Sequence, residues 1–312
     1  MKCQNKLRLL IVVAALSSCF ITTAEALTEN QVERKAFAST VLVVTYDSNG
    51  RQIGSGSGFF VSRDWVATNY HVIKDATSVE CQDAATGRQF SIRSAAINSD
   101  ADLAILRTID FTGTPISLGN SDTIRKGDTI YVAGYPGGNR SFKKAKIRGT
   151  TGIKGCADAE FEITSFARIA PGSSGGPVLN TNGEAVGVAV RVYMRFGLLS
   201  LNGYAVRINY LRYLIADPGG FRSFPITHPL SDCSTISRGN MYAEMGYYAD
   251  AIFEYNQVLS KNPGLTIGYL NRALARYELG DVSTALSDLS IAMSLAESRH
   301  LRSLIQQVRD SF

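Results

Sequence analysis

A serine framed by glycines, in Pro171-Gly172-Ser173-Ser174-Gly175-Gly176-Pro177, is the stretch of this chain best suited to chemistry. A serine hydroxyl is a weak nucleophile alone; it needs a base to take its proton and donors to hold the oxygen that becomes charged. Glycines let the backbone turn sharply and bring bare N–H groups close to a substrate carbonyl. Ser174 is then the candidate nucleophile, with the N–H groups of Gly172 and Ser174 as candidate oxyanion donors. A plain Ser/Gly turn between two strands reads the same heptapeptide. The base has to come from three histidines. His228 and His300 lie beyond the last convincing strand, which leaves His71 in Thr68-Asn69-Tyr70-His71-Val72, directly after the apolar run Trp65-Val66-Ala67. An acid to orient the imidazole stands at the mouth of another apolar strand, Asp100-Ala101-Asp102-Leu103-Ala104-Ile105-Leu106, where Asp100 and Asp102 are rivals.

Gly56-Ser57-Gly58-Phe59-Phe60-Val61, the T-N-x-H-V motif, D-L-A-I-L and G-x-S-G-G-P-V-L-N together resemble the trypsin-like serine peptidases of the HtrA/Deg-type branch, over roughly residues 37–216. The resemblance implies that His71 takes the proton of Ser174 and later gives it to the leaving amine, while the acid holds the ring in the right tautomer. That family places its acid directly before the Leu-Ala-Ile-Leu strand, which selects Asp102. It also implies two six-stranded barrels with the triad in the cleft between them, His71 and Asp102 from the first and Ser174 from the second. Two departures matter. Helices take the place of the peptide-recognition (PDZ) domain, and Ser173 stands where zymogen-activated relatives carry an Asp, so activation by cleavage is not expected. The pocket for the residue before the scissile bond stays open: Arg168 favours an acidic side chain, whereas Ala189 and Val190 favour a small or medium apolar one.

The elements that must position these groups are short β-branched or apolar runs separated by Gly, Asn, Asp and Pro, the pattern of closed β-barrels. Gly54-Ser55-Gly56-Ser57-Gly58 reads as a barrel-edge turn, since no Gly-Lys-Ser/Thr follows to make it a phosphate loop. After Ala216 the texture changes. Residues 217–232 read as a linker, and residues 233–312 carry helical spacing with a 34-residue internal repeat: Arg238 recurs as Arg272, Gly246 as Gly280 and Ala251 as Ala285. That period is the tetratricopeptide pattern. The expected architecture is thus an all-β double barrel followed by a small all-α domain.

Composition agrees with an ordered, turn-rich protein of two domains: 312 residues, 45% hydrophobic, with 28 glycines. The net charge of +5 is mild. Lys143-Lys144-Ala145-Lys146-Ile147-Arg148 is the one basic run, and without stacking aromatics it reads as a solvated face, so nucleic acid is not an expected partner. Residues 1–26 have a basic start, a short apolar core and Ala24-Glu25-Ala26 as a cleavage pattern, which predicts export; a lipid-modified Cys19 after Leu16-Ser17-Ser18 is the alternative. No stretch is expected to span a membrane. Past that leader remain Cys81, Cys156 and Cys233, of which Cys81 and Cys156 are the expected disulfide pair. No Cys or His pair has ligand spacing, so neither metal nor cofactor is expected. The sequence therefore predicts an exported serine endopeptidase acting on protein or peptide substrates; the resemblance suggests unfolded or damaged ones. Residues 233–312 would serve a protein partner or self-association. The rivals are a catalytically silent scaffold that recruits partners through its helices, and a hydrolase of esters.

Overall fold

The computed structural model describes residues 27–149, 160–163, 172–190, 203–296 and 299–312. The expected leader with Cys19, and Cys156 and Arg168, lie outside the described residues. Two closed six-stranded barrels form the first part of the chain. In the first, β1 (Thr40–Tyr46), β2 (Gln52–Phe60), β3 (Trp65–Asn69), β4 (Ser78–Asp83), β5 (Gln89–Asn98) and β6 (Leu103–Thr108) close in the order β1-β2-β3-β6-β5-β4. In the second, β7 (Thr129–Gly134), β8 (Ser141–Gly149), β9 (Glu160–Ile163), β10 (Pro177–Leu179), β11 (Ala185–Val190) and β12 (Gly203–Arg207) close in the order β10-β11-β12-β9-β8-β7. Every neighbouring pair is antiparallel, so each barrel leaves no unpaired sheet edge.

Residues of both barrels meet in one apolar cluster. Phe59, Leu103 and Ile105 of the first barrel join Leu179, Val188 and Val206 of the second. Two helices seal it. α1 (Glu29–Phe37), which precedes the boundary expected at residue 37, starts on a Thr28/Gln31 capping box and buries Val32, Ala36 and Phe37. α3 (Ile208–Ala216) follows β12 and buries Ile208, Leu211 and Leu214 in the same cluster. A four-residue helix, α2 (Tyr70–Ile73), links β3 to β4, with all four side chains buried.

Two expectations change. Gly54-Ser55-Gly56-Ser57-Gly58 is no turn but the middle of β2, where the missing side chains let β1 and β3 close in: a Cβ on Gly58 would lie 2.7 Å from Val66. Cys81 is a free thiol rather than half of a disulfide. It faces the core of the first barrel with Val43, Phe60 and Phe90, and burial pushes its pKa up, so it packs as a small apolar filler. The expected linker, residues 217–232, lies along the first barrel. Phe221 packs on Trp65 with ring centroids 5.2 Å apart, Arg222 and Ala95 exchange both backbone hydrogen bonds, and Ile226 is buried in the first barrel's core. This segment is a strap across the first barrel.

Five helices follow: α4 (Asp232–Glu244), α5 (Tyr248–Lys261), α6 (Thr266–Glu278), α7 (Val282–Leu295) and α8 (Arg299–Asp310). α6 and α7 begin 34 residues after α4 and α5, and Gly246 and Gly280 end the first helix of each pair with φ +81. At that left-handed value glycine is the residue without steric cost. Tyr255, Ile236 and Val258 fill one small core between α4 and α5. Leu270, Leu289, Leu304 and Ile305 fill a second between α6, α7 and α8. Asn240 of α4 joins the pairs by accepting from Tyr255 Oη and Asn271 Nδ2, both at 2.8 Å.

Candidate active site

His71 enters from α2, the single helical turn that ends β3. Its ring is 1% exposed, and Asp102, at the start of β6, is 5% exposed. One carboxylate holds both ends of the histidine: the backbone N–H of His71 donates to Asp102 Oδ1 at 2.9 Å, and Nδ1 lies 2.6 Å from Oδ2. A carboxylate oxygen can only accept from an N–H here, so Nδ1 carries a proton, and in the neutral ring Nε2 is the lone-pair acceptor. Asp102 reaches this position in a left-handed backbone conformation, φ +53, which costs a non-glycine residue strain. Its carbonyl is tied down in return, accepting from the N–H of Tyr70 at 3.1 Å and from Asn69 Nδ2 at 3.0 Å. Asp100, the other candidate acid, is exposed on the turn before it.

Ser174 sits in the loop before β10. Gly172 and Gly175 flank it with φ +85 and +87, and a Cβ on Gly175 would meet the Ser57 carbonyl at 2.1 Å. Two bonds knit this loop to its own barrel, Gly175 N–H to Ala189 C=O and Ala189 N–H to Gly176 C=O, each at 2.8 Å. β2 of the first barrel reaches across to the same loop. The Ser57 N–H donates to the Ser174 carbonyl at 2.7 Å, and Gly56 makes room, since a Cβ there would stand 2.9 Å from that carbonyl. The Ser57 hydroxyl, fully buried, donates to Gly172 C=O at 2.6 Å and accepts from the Tyr135 N–H at 2.8 Å. The Ser57 carbonyl accepts from Thr68 Oγ1 at 2.7 Å. Ser57 therefore links β2, β3, the loop after β7 and the Ser174 loop.

His71, Gly172 and Ser174 line one small cleft together with Ser55. Among the described residues, no backbone acceptor takes the N–H of Gly172 or of Ser174. The arrangement offers a hydroxyl, an imidazole oriented to accept a proton, and amide donors beside them. Ala189 and Val190, expected along a specificity pocket, direct their side chains into the barrel cores and do not line this cleft. Arg168 lies outside the described residues.

Some site residues carried no such role in the sequence. Ser57 and Asn69 stood inside quoted motifs, but their bonds depend on backbone groups far along the chain. The remaining lining residues, Ser237, Asn240, Met241 and Glu244, come from α4, where helical spacing signals packing and gives no sign of a cleft. Among the described residues no cluster of His, Cys, Asp and Glu could hold a metal ion, and no helix is long and apolar enough to cross a membrane.

Residues 56–188 match the family of trypsin-like peptidase domains. The chain is 35% identical over 153 residues to the anti-sigma-I factor RsgI9 of Acetivibrio thermocellus, covering 48% of this chain and 21% of that one. It is 30% identical over 199 residues to a probable periplasmic serine endoprotease, DegP-like, of Chlamydia trachomatis, covering 59% and 39%. Among solved structures, the HtrA-type protease AlgW with a tripeptide superposes with a TM-score of 0.55 at 23% identity, covering 61% of this chain and 63% of that one, a likeness of fold. The matches thus span between a fifth and two fifths of the length of these two curated relatives.

Proposed function

We propose that this chain is an exported serine endopeptidase that cuts polypeptides through an acyl-enzyme on Ser174. One observation carries the reading: a histidine fixed by a single buried carboxylate at both its backbone and its ring lines the same cleft as a glycine-flanked serine. In the reaction, Ser174 Oγ adds to the scissile carbonyl carbon while His71 Nε2 takes its proton. The N–H groups of Gly172 and Ser174 hold the oxyanion. Collapse breaks the C–N bond, and His71 returns the proton to the leaving amine; water then repeats the sequence on the acyl-serine. Asp102 keeps Nδ1–H in place and stabilises the imidazolium that forms between the two proton transfers.

The match to trypsin-like peptidase domains and the DegP-like relative support a protein substrate. The same relative's periplasmic description supports export, with residues 1–26 as the leader. The helix pairs at a 34-residue interval support a tetratricopeptide reading of residues 233–312, beyond a barrel domain of about 37–216.

The test is covalent labelling of the protein with a fluorophosphonate, wild type beside Ser174→Ala, followed by casein digestion. Phosphonylation at Ser174 together with casein cleavage, both lost in the variant, is the expected result. Labelling with ester hydrolysis but no peptide cleavage would replace the endopeptidase with an esterase. A folded protein that never labels would leave a scaffold.

A further inference from the structure

The chain's own helical segment forms one wall of the cleft that holds His71 and Ser174. Ser237, Asn240, Met241 and Glu244 lie at i, i+3, i+4 and i+7, one face of α4, and this face lines the cleft opposite Ser55, His71, Gly172 and Ser174. What remains between them is about 10 Å³ of space for solvent, enough for about one water. Sites that hold even a small organic ligand run to roughly 300 Å³ or more. A scissile peptide bond with its flanking residues does not fit into that space.

The closure is built in by both charge and packing. Arg238 of α4, 8% exposed, places one guanidinium nitrogen 2.8 Å from Asp75 Oδ2, directly after the α2 turn that carries His71. It also stands 3.4 Å from Glu254 of α5 and donates to Tyr242 Oη at 3.0 Å. Met241 is buried against β2, where Gly54 leaves it room: a Cβ there would come within 3.3 Å of the sulfur. The strap fixes the approach, because Tyr70, next to His71, donates its hydroxyl to the His228 carbonyl at 2.6 Å. Leu230 packs on the first barrel, and the following residue, Ser231, caps α4, so the cover pivots there.

We infer that α4 is an autoinhibitory cover: the protein as folded is shut, and a polypeptide reaches Ser174 only when α4 swings off the first barrel. The inference rests on Ser174 being the nucleophile. A shut cleft makes opening, not chemistry, the step that selects substrates.

The experiment is the rate of Ser174 phosphonylation by a fluorophosphonate in the full-length chain, compared for wild type, Asp75→Asn and Met241→Ala. Asn is a residue that tolerates the left-handed backbone of Asp75, φ +60, so the variant removes charge without adding strain. Losing a partly buried ionic hydrogen bond should raise the labelling rate about tenfold, and Met241→Ala should act in the same direction. Hydrogen exchange supplies a second readout that needs no cover variant. Wild type phosphonylated at Ser174 should exchange faster across residues 232–244 than Ser174→Ala treated with the same reagent. Equal labelling rates in all three proteins, with unchanged exchange in α4, would overturn the cover and leave the peptidase reading standing. Absence of labelling in every folded variant would overturn the nucleophile and the cover together.

Discussion

Ser57 illustrates how much of this site depends on residues that do no chemistry. Its hydroxyl bridges a donor in one loop, the Tyr135 N–H, and an acceptor in another, the Gly172 carbonyl. Ser57→Ala leaves the buried Tyr135 N–H and the part-buried Gly172 carbonyl without that partner, a cost of about 1–3 kcal/mol, and frees the peptide that orients one proposed oxyanion donor. The expected outcome is a protein that folds with a lowered Tm and a turnover at least tenfold down, with KM for a short peptide nearly unchanged, read by steady-state kinetics. Asp102→Asn tests a different bond. An amide can accept from only one of the two N–H groups that Asp102 now serves, so the ring is free to adopt the wrong tautomer. Turnover should fall about 10⁴-fold while the fold survives. Ser173→Ala, one residue from the proposed nucleophile, should change turnover little; if it abolished turnover while Ser174→Ala did not, the assignment of the serine would be out by one.

At the scale of elements, short β-branched and apolar runs between turn residues pointed to barrels, because such runs follow from local sterics and burial, and the resemblance supplied their number and strand count. The interval of 34 residues was readable because helix-ending glycines and small crossing residues recur. Cys81 was misread: an exported chain permits disulfides, but a buried thiol between Val43 and Phe90 satisfies packing equally well. The junction of α2 with α4 makes its own prediction. Burial alone would raise the Asp75 carboxyl, but Lys74 and Arg238 hold it below its ordinary value. Burial raises Glu254, with Arg238 opposing. A depressed Asp contributes stability above its unfolded pKa, about 3.9, and loses it as pH falls through the folded value. A raised Glu contributes below its unfolded pKa, about 4.3, and loses it as pH rises through the folded value. The contact should therefore be tightest at weakly acid pH and loosen below about pH 4, which the pH dependence of amide protection in α4 would show.

The whole molecule is not held together evenly. One apolar cluster runs through both barrels and takes in α1 and α3, so the barrels should unfold as a single cooperative unit. Leu304 and Ile305 of α8 belong to a separate core that contains no barrel residue. α6, α7 and α8 should accordingly exchange their amides together and earlier than β1 or β6, a result that native-state hydrogen exchange would resolve at low denaturant. Arg272 and Arg276 both pair with the buried Asp288 within that core, at 2.7 Å each. Asp288→Ala would strand two guanidinium groups and should bring this outer opening forward without lowering the protection of the barrels.

The strap from Asp217 to Leu230 has one more consequence. By pinning the chain at Phe221, Arg222 and His228, it holds α4 beside the site it covers, which fixes the effective concentration of the cover rather than its affinity. Short tethers give local concentrations in the millimolar range or above. A segment that would bind the cleft only weakly in trans is therefore enough to occupy it nearly all the time. A diffusing competitor at micromolar abundance would lose that contest, whereas a ligand that grips the helices and the cleft at once becomes intramolecular in its turn and competes on equal terms.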